Sequence, residues 1–256
     1  MTIETIYILF FFILGTVMGS FYNVVGYRLP NGESLVTPPS HCPNCNHRLG
    51  FFELFPVLSY IFQGGKCKNC KVKISFIYPL FELLTGILFA LSYFIFGLTP
   101  ELLVALTFVS TLLIVIISDF KYMIIPDELI LFSLVMLIMQ KLFIGVPVLE
   151  MTLDIIIPFI VLLLVKIFGD FVFKKESLGG GDIKLMSIFG IVIGFENAIL
   201  SVGLASFIAL PTALLMLLIK KNGMIPFGPY LSIAALLMYY LSIDYTNVLN
   251  WLINLS

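Results

Sequence analysis

Two aspartates lie where a strongly apolar chain would least be expected to carry charge. Asp119 ends an apolar run as Ile-Ile-Ser-Asp, and Asp182 follows three consecutive glycines at 179–181. An ionisable group at the edge of a membrane helix is costly unless it has a function. Two carboxylates held close together cannot both ionise easily, so one stays protonated while the other can take a proton from water. We therefore interpret Asp119 and Asp182 as a candidate pair for acid–base hydrolysis.

Each aspartate alone also has a simpler interpretation. Asp119 is then a helix-end residue solvated at the membrane interface, and Asp182 is an N-cap or first-turn carboxylate favoured by the helix dipole. Asp127, in Pro-Asp-Glu, either caps the next helix or supports the site. Lys184 either stabilises the ionised form of Asp182 or extends to the aqueous surface. Asp127 and Lys184 are thus candidate supporting residues.

All four cysteines fall in the one sizeable polar segment, residues 27–79, as two Cys-x-x-Cys pairs. The pairs are Cys42 with Cys45 and Cys67 with Cys70. Four thiolates suit tetrahedral zinc, and they leave no open position for water, so we predict a structural zinc site. Two disulfides are the competing interpretation, although stable disulfides are rare in the cytoplasm. A further alternative is that His41 or His47 replaces a cysteine as a ligand.

The composition predicts the class of protein. Hydrophobic residues make up 60% of the chain and charged residues only 11%, with a mean hydropathy of +1.11. A typical soluble domain is roughly a quarter charged. We therefore expect an all-α polytopic membrane protein. The net charge of -1 says little about partners, because it averages over two faces of a bilayer. No basic surface for nucleic acid is visible, so we expect the lipid bilayer, and no nucleic acid, as a partner.

Apolar runs divide the chain into about eight transmembrane helices. They cover residues 6–26, 77–97, 101–118, 128–147, 152–168, 183–198, 199–219 and 228–246. Residues 6–26 are preceded by no basic region and have no clear small-residue cleavage site, so we expect a retained first helix. The predicted domains are a first transmembrane helix (1–26), a cytoplasmic tetracysteine zinc-binding loop (27–79) and the remaining transmembrane helices (80–256). The closing residues 245–256 are too short to span and are expected at the interface.

Lysine and arginine predict the orientation. If the N-terminus is outside and eight helices alternate, thirteen of the fourteen basic residues lie on one side and only Lys141 on the other. Cytoplasmic loops collect basic residues, so the basic side is expected to be cytoplasmic. Asp119 and Asp182 both fall on this side, 63 positions apart in the sequence. Glu82 and Lys166, near helix ends on the same side, are interpreted as interfacial.

The chain resembles a known family, the bacterial type IV prepilin peptidases. The N-terminal similarity lies in Gly-Ser-Phe-Tyr-Asn-Val-Val at 19–25, Arg-Leu-Pro at 28–30, Pro-Ser-His-Cys-Pro-Asn-Cys at 39–45, Gly-Lys-Cys at 65–67, Cys70, Ile-Ser at 74–75, Tyr-Pro at 78–79 and Glu82. It continues through Asp119, Ile-Pro-Asp at 125–127, Gly-Gly-Gly-Asp at 179–182, Lys184 and Pro-Phe-Gly-Pro-Tyr at 226–230. Leu-Phe-Pro at 54–56 departs from the common Asn-Ile-Pro, but it leaves the aspartates and cysteines untouched.

This resemblance implies an activity and a site. The family removes the short basic leader from prepilins and pseudopilins on the cytoplasmic side of the bacterial cell membrane, after a glycine and usually before phenylalanine. Members commonly methylate the new amino terminus with S-adenosylmethionine. By resemblance, Asp119 and Asp182 are the catalytic pair, and Gly179 and Gly181 shape the second site. The cysteine loop, which some members lack, is implied to be structural or methylation-related. No glycine-rich fingerprint identifies the methyl-donor site.

Two other classes of function remain open from the sequence. A proton- or ion-coupled transporter could use Asp119 and Asp182 as ion sites, but it would more naturally place them near mid-bilayer on broken helices. Alternatively, the cysteine loop is a docking module on an inert membrane anchor. That interpretation predicts that neutral variants of both aspartates behave as wild type.

Overall fold

The computed structural model describes residues 2–219, 225–242 and 245. Within these residues, eight long helices follow the eight apolar segments of the sequence, and named strands are absent. The helices are α1 (Ile3–Arg28), α2 (Leu58–Phe62), α3 (Ile77–Phe96), α4 (Pro100–Tyr122), α5 (Asp127–Ile144), α6 (Val148–Phe173), α7 (Gly180–Ile193), α8 (Phe195–Leu218) and α9 (Gly228–Leu241). The short α2 and two 3-10 turns, Leu29–Asn31 and Phe51–Glu53, belong to the polar region between α1 and α3.

Among the described helices, five are long and apolar enough to cross a membrane: α1, α3, α4, α6 and α8. The predicted all-helical membrane class is therefore confirmed. The α5 helix has 18 residues, with Asp127, Glu128 and Lys141 among them, while α7 and α9 have 14 residues each. A spanning helix needs about 20 apolar residues. The count of eight spans thus stays a prediction.

Some predicted boundaries differ from the helices. The segment predicted at 183–198 ends at Ile193, because Gly194 adopts φ +82 and turns the chain directly into α8. The segment predicted at 152–168 is longer at both ends, as α6. Three parts of the prediction lie outside the described residues. They are Lys220 and Lys221, the end of the last predicted span, and the proposed interfacial tail other than residue 245.

The chain divides into two compact units, Met1–Ile117 and Ser118–Ser256. In the first unit, α1 packs closely on α3 through small residues. A Cβ atom added at Gly15 would lie 2.6 Å from the carbonyl oxygen of Thr85, and one at Gly86 would lie 2.7 Å from Thr16. Small residues let membrane helices approach this closely. Asn23 then joins the ends of α1 and α3, since its Nδ2 donates to the carbonyl of Tyr78 at 3.2 Å.

In the second unit, α7 is packed against α5, α6, α8 and α9. Most of α7 is buried, as expected for a helix that is apolar on all sides. Its crossing with α6 is close at Gly190, where an added Cβ would lie 1.7 Å from the carbonyl oxygen of Asp154. Only glycine is compatible with this crossing. The first turn of this central helix carries Asp182.

Candidate active site and metal centre

Asp119 lies in the last turn of α4, with 6% of its surface exposed. Its Oδ2 accepts the backbone N–H of Gly228, the first residue of α9, at 3.0 Å. Beyond α4 the chain turns at Met123, which has φ +55, and the Ser118 hydroxyl donates to the carbonyl of Ile124. The Asp119 carboxylate therefore lies at the N-terminus of α9, where backbone N–H groups favour negative charge.

Asp182 is the third residue of α7 and has 7% of its surface exposed. Its carboxylate accepts the backbone N–H of Gly179, the N-cap residue of the same helix. A third-position acid that reaches back to the N-cap N–H forms half of a capping box. The predicted first-turn position is confirmed, and the contact gives a physical reason for a small residue at 179.

The structure brings Asp119 and Asp182 within electrostatic range of each other, since the charge of Asp119 acts on Asp182. Ile125 packs against Gly181, which precedes Asp182, and against Gly228, whose N–H binds Asp119. A Cβ added at Gly181 would lie 2.8 Å from Ile125 Cβ, and one at Gly228 would lie 3.2 Å from Ile125 Cδ1. Both glycines therefore permit a close approach that a larger residue would prevent. The beginning of α7, which carries Asp182, and the N–H donor of Asp119 thus pack against the same residue.

The supporting residues predicted from the sequence form an ion pair with each other. Lys184 Nζ lies 2.6 Å from Asp127 Oδ1 and 2.7 Å from Oδ2. The side chains are 45% and 68% exposed, in contrast to the buried aspartates. Asp127 begins α5, as expected, but Pro126 occupies the N-cap position and no side chain caps the helix. The capping interpretation of Asp127 is thus wrong, and the ammonium of Lys184 binds Asp127 at the surface instead.

Lys166 and Asp170 of α6 hold the segment before Gly179 in place. The sequence analysis interpreted Lys166 as interfacial and did not single out Asp170. Lys166 Nζ donates to Glu176 Oε1 and to the carbonyl of Leu178, each at 2.7 Å. Asp170 Oδ1 accepts the backbone N–H of Ser177 at 2.6 Å and its hydroxyl at 2.8 Å. These contacts fix the entry to α7. The sequence signal that could have revealed these contacts is the pair of charged residues, Lys166 and Asp170, four positions apart at the end of an apolar run.

The four cysteine sulfurs form one compact cluster. Their Sγ atoms all lie within 4.8 Å of one another, with Cys42 and Cys70 at 3.8 Å and Cys45 and Cys67 at 3.9 Å. A tetrahedron with metal–sulfur bonds of about 2.3 Å has edges of about 3.8 Å, so the cluster fits a tetrahedral metal ion. The four cysteines are free. Their separations do not support the competing disulfide interpretation, because bonded sulfurs lie about 2.05 Å apart.

The two Cys-x-x-Cys turns have the same local structure. In the first, Cys42 donates its N–H to the His47 carbonyl at 2.9 Å, and in the second, Cys67 donates to the Val72 carbonyl at 2.9 Å. The residue after each second cysteine has positive φ: +53 at Asn46 and +60 at Lys71. Isolated antiparallel bridges close both turns, His41 with Arg48 and Lys66 with Lys73. The cluster is therefore built from two copies of one knuckle.

Asn44 and Asn69, the third residues of the two knuckles, were missed by the sequence interpretation. Asn69 Nδ2 donates to Cys45 Sγ at 3.7 Å, and the Asn44 side chain hydrogen-bonds Cys70. Each asparagine thus reaches across to a cysteine of the other knuckle. Such outer contacts orient metal ligands and stabilise thiolate charge. The repeated pattern Cys-x-Asn-Cys was the signal that could have revealed them.

Neither histidine belongs to the cysteine cluster. His41 Nδ1 lies 2.9 Å from the Pro39 carbonyl, and His47 Nε2 lies 3.0 Å from Glu53 Oε2. The backbone N–H of Gly50 and then His47 lower the pKa of Glu53. The alternative in which a histidine replaces a cysteine ligand is therefore not supported.

Comparisons with known proteins agree with the sequence resemblance. The family described as "Bacterial Peptidase A24 N-terminal domain" matches residues 13–96, and "Type IV leader peptidase family" matches residues 106–214. A protein named prepilin leader peptidase/N-methyltransferase from Bacillus subtilis (strain 168) is 34% identical over 238 residues, covering 89% of this chain and 92% of the relative. A protein of the same name from Pseudomonas putida is 31% identical over 248 residues, covering 87% and 86%. A third, from Myxococcus xanthus (strain DK1622), is 36% identical over 186 residues, covering 72% and 56%.

No solved structure matches the chain. The fold and the site together define a helical membrane protein with two buried aspartates at helix ends and a four-cysteine cluster. The chain belongs to the type IV leader peptidase family, as its family matches and its similarity to the Bacillus subtilis relative show.

Proposed function

We propose that this protein is a membrane-embedded aspartic endopeptidase that removes the leader of type IV prepilins and pseudopilins. In this proposal Asp119 and Asp182 are the catalytic pair. The observation that carries it is the placement of two buried carboxylates within electrostatic range, each accepting a backbone N–H at the start of a helix. The names of the relatives supply the substrate class.

The pair can hydrolyse a peptide bond while it holds one shared proton. The ionised carboxylate takes a proton from water as the water oxygen attacks the peptide carbonyl carbon. The protonated carboxyl donates to the developing oxyanion. When the intermediate collapses, the C–N bond breaks, its electron pair remains on nitrogen, and a proton from the pair reaches the leaving amine. The pair thereby supplies both the base and the acid.

The position of the carboxylates supports cleavage at a membrane edge. Asp119 is in the last turn of α4 and Asp182 in the first turn of α7, so neither lies in the middle of a helix. A substrate helix must be extended where it is cut, because its peptide bonds are otherwise shielded by hydrogen bonds. Its apolar segment can remain in lipid during cleavage. A transporter is not favoured, since ion sites in transporters typically lie near mid-bilayer on broken helices.

The proposed topology has eight spans, an outside N-terminus and the active site facing the cytoplasm, as the distribution of basic residues predicts. The substrate leader would be basic and would lie beside the anionic lipids of the inner leaflet. The proposed division into 1–26, 27–79 and 80–256 follows the same topology. The proposed partners are the prepilin substrate and the lipid bilayer, without nucleic acid.

The proposed metal is a structural zinc ion held by Cys42, Cys45, Cys67 and Cys70. Four sulfur donors in a closed tetrahedral arrangement are typical of structural zinc sites. The ion would stabilise a polar segment that has little apolar core of its own. We also propose that the protein methylates the new N-terminal amine. When bound, S-adenosylmethionine supplies a methyl group that passes from sulfur to nitrogen, its bonding electrons staying on sulfur while the amine loses a proton.

The experiment compares purified Asp119→Asn and Asp182→Asn proteins with wild type on a prepilin carrying a Gly-Phe junction. Mass spectrometry of the products reports leader loss and any methyl increment separately. Both variants should remain folded and membrane-inserted and should fail to cleave. Glu128→Gln is the matched control, because Glu128 is an exposed acid in the first turn of α5. Normal processing by either asparagine variant would defeat the assignment.

A further inference from the structure

A groove of about 630 Å³ lies on the polar segment of the first unit, beside the short helix α2. Neither the two aspartates nor the four cysteines line it, so it is separate from both proposed sites. We define it as the basic aromatic groove by its apolar and basic walls, which are Phe52, Phe55, Leu58 and Phe62 on one side and Lys66, Lys68 and Lys71 on the other. The groove needs an explanation of its own.

The apolar wall of the groove is unusually exposed. Phe62 has 84% of its surface exposed and Phe52 has 81%, while Phe55 and Leu58 are each nearly half exposed. Phe51, whose ring centroid lies 5.9 Å from that of Phe55, extends the same apolar surface. A protein surface in contact with water rarely carries so large a contiguous apolar patch unless a partner covers it. This wall is therefore suited to an apolar contact.

The fold of the second knuckle does not explain its lysines. Both knuckles have the same turns and bridges, yet positions 66, 68, 71 and 73 of the second are all lysine, and all four are exposed. The corresponding residues of the first knuckle are His41, Pro43, Asn46 and Arg48. The same backbone therefore forms with one fixed positive charge in place of four. The additional charge is available for a partner outside the fold.

Glu53 is the one acid among the described residues that line the groove. Its Oε2 accepts the backbone N–H of Gly50 at 2.9 Å and lies 3.0 Å from His47 Nε2, so the first knuckle already engages this carboxylate. Three lysines against one glutamate leave the groove with a net positive charge. That sign favours an anionic partner.

A hydrogen bond to α3 sets the depth of the groove. Val57, which lies between Phe55 and Leu58 in the sequence, donates its N–H to Glu82 Oε2 at 2.7 Å. Glu82 is the sixth residue of α3, about 8 Å along the helix axis from Ile77. Because α3 has 20 residues, about the number that a span requires, a spanning α3 uses its full length. The backbone beside the groove is thus level with the lipid headgroups and the adjoining acyl chains.

We infer that the basic aromatic groove is a contact surface for the bilayer, with its aromatic side chains among acyl chains and its lysines on the phosphates of anionic phospholipids. Segments that lie in a membrane interface combine these two features, apolar aromatic groups and a basic face. A twofold contact with a second copy would instead bring two sets of lysines together. A basic substrate leader would be repelled by the same lysines. Anionic lipid avoids both repulsions.

A tryptophan placed in the groove tests whether lipid reaches it. Full-length protein carries Phe62→Trp together with Trp251→Phe, because Trp251 is the only native tryptophan. In nanodiscs of phosphatidylcholine and phosphatidylglycerol, lipids with brominated acyl chains should quench most of the emission, whereas iodide in the buffer should quench little. Ile87→Trp in the same background is the reference for lipid contact, since Ile87 is 48% exposed in the middle of α3. The inference and this measurement do not depend on peptidase activity.

A second measurement isolates the lysines. Quenching of the groove reporter by brominated phosphatidylglycerol among unbrominated phosphatidylcholine is compared with quenching by the reverse mixture. We expect a local preference for phosphatidylglycerol of about fivefold or more, the factor that one lysine beside an anionic surface contributes. Adding Lys66→Gln, Lys68→Gln and Lys71→Asn should remove most of this preference. Asparagine suits position 71, because the corresponding Asn46 has φ +53 and Lys71 has φ +60.

The matched control removes the same charge elsewhere. Lys121→Gln, Lys174→Asn and Lys175→Gln change three exposed lysines of the second unit, and position 174 has φ +52, so asparagine suits it as well. This control should keep the full preference for phosphatidylglycerol. An equal preference in the groove variant and the control would refute the contact between the groove lysines and anionic lipid.

Other occupants of the groove give different results in the same nanodiscs. Quenching by iodide without quenching by brominated lipid would overturn the inference, because the groove would then face water. Protection from iodide that arises only in nanodiscs holding two copies would assign the groove to a second copy. Protection that arises only after prepilin is added would assign it to the substrate. Strong quenching of the Ile87→Trp reference by brominated lipid verifies in each case that the protein is inserted.

Discussion

Gly181→Ala is expected to damage the candidate site, whereas the same change one residue earlier is not. An added Cβ at Gly181 would lie 2.8 Å from Ile125 Cβ, about 0.6 Å inside the 3.4 Å at which ordinary contact begins. Because Ile125 Cβ is bonded directly to the backbone, no side-chain rotation relieves this clash. Either α7 or the segment before α5 must move. At Gly180, an added Cβ has no neighbour within 4 Å.

The required shift falls on the residue next to Asp182. Overpacking of this kind typically costs about 1–3 kcal/mol of folding free energy. A displacement of 1 Å in an active site can cost about 100-fold in rate, so a shift of about half that size should slow cleavage by roughly 10-fold or more. Gly180→Ala should instead be neutral or stabilise the protein by about 0.4–1 kcal/mol, because alanine restricts the unfolded chain more than glycine does.

The assay is single-turnover cleavage of a leader-bearing prepilin by each purified variant, with thermal unfolding followed by circular dichroism. Single-turnover rates isolate the chemical step from product release. The expected result is slow cleavage by folded Gly181→Ala and normal cleavage by Gly180→Ala. Equal rates for the two variants would refute the reasoning, because they would show that the contact with Ile125 does not position Asp182.

Two further predictions concern contacts that orient the Asp119 carboxylate and the cysteine ligands of the proposed zinc ion. In Gly228→Ala, the added Cβ would lie 2.7 Å from Asp119 Oδ2, so the carboxylate should rotate and lose its N–H donor. Cleavage should slow by about 10-fold, and the free energy of unfolding should fall by about 1–3 kcal/mol because a buried acceptor loses its donor. Gly203→Ala, which has open space, should cleave normally. Asn44→Ala and Asn69→Ala should each weaken zinc binding by about 10-fold or more in chelator competition. Unchanged zinc affinity in both asparagine variants would contradict their proposed contact with the thiolates.

The sequence predicted the features that depend on residue type, spacing and topology. The apolar runs predicted that Asp119 and Asp182 lie at helix ends on one side of the membrane. In the structure both lie at helix ends, within electrostatic range of each other. The Cys-x-x-Cys pairs predicted a four-sulfur cluster, which is confirmed. In each case a local pattern restricts the geometry strongly enough for a prediction.

Other features depend on tertiary contacts that no local pattern reveals. The Gly228 N–H that binds Asp119 is 109 positions away in the sequence, and Ile125 became relevant only through its contacts with two glycines. The bounds of α7 were also missed. Apolar runs indicate burial, but they do not distinguish burial in lipid from burial against neighbouring helices. In α7, neighbouring helices of the same unit provide most of that burial.

The two candidate carboxylates experience opposing influences that favour a shared proton. Burial disfavours charge on each of them, and each is 6% or 7% exposed. Each also accepts a backbone N–H at a helix N-terminus, Asp119 from Gly228 of α9 and Asp182 from Gly179 before α7, and such donors favour the ionised form. With both carboxylates ionised, mutual repulsion adds to the cost of burial. With both protonated, two helix N-termini lose their negative partners. A single negative charge on the pair is therefore the best compromise, and it is the state that acid–base hydrolysis requires.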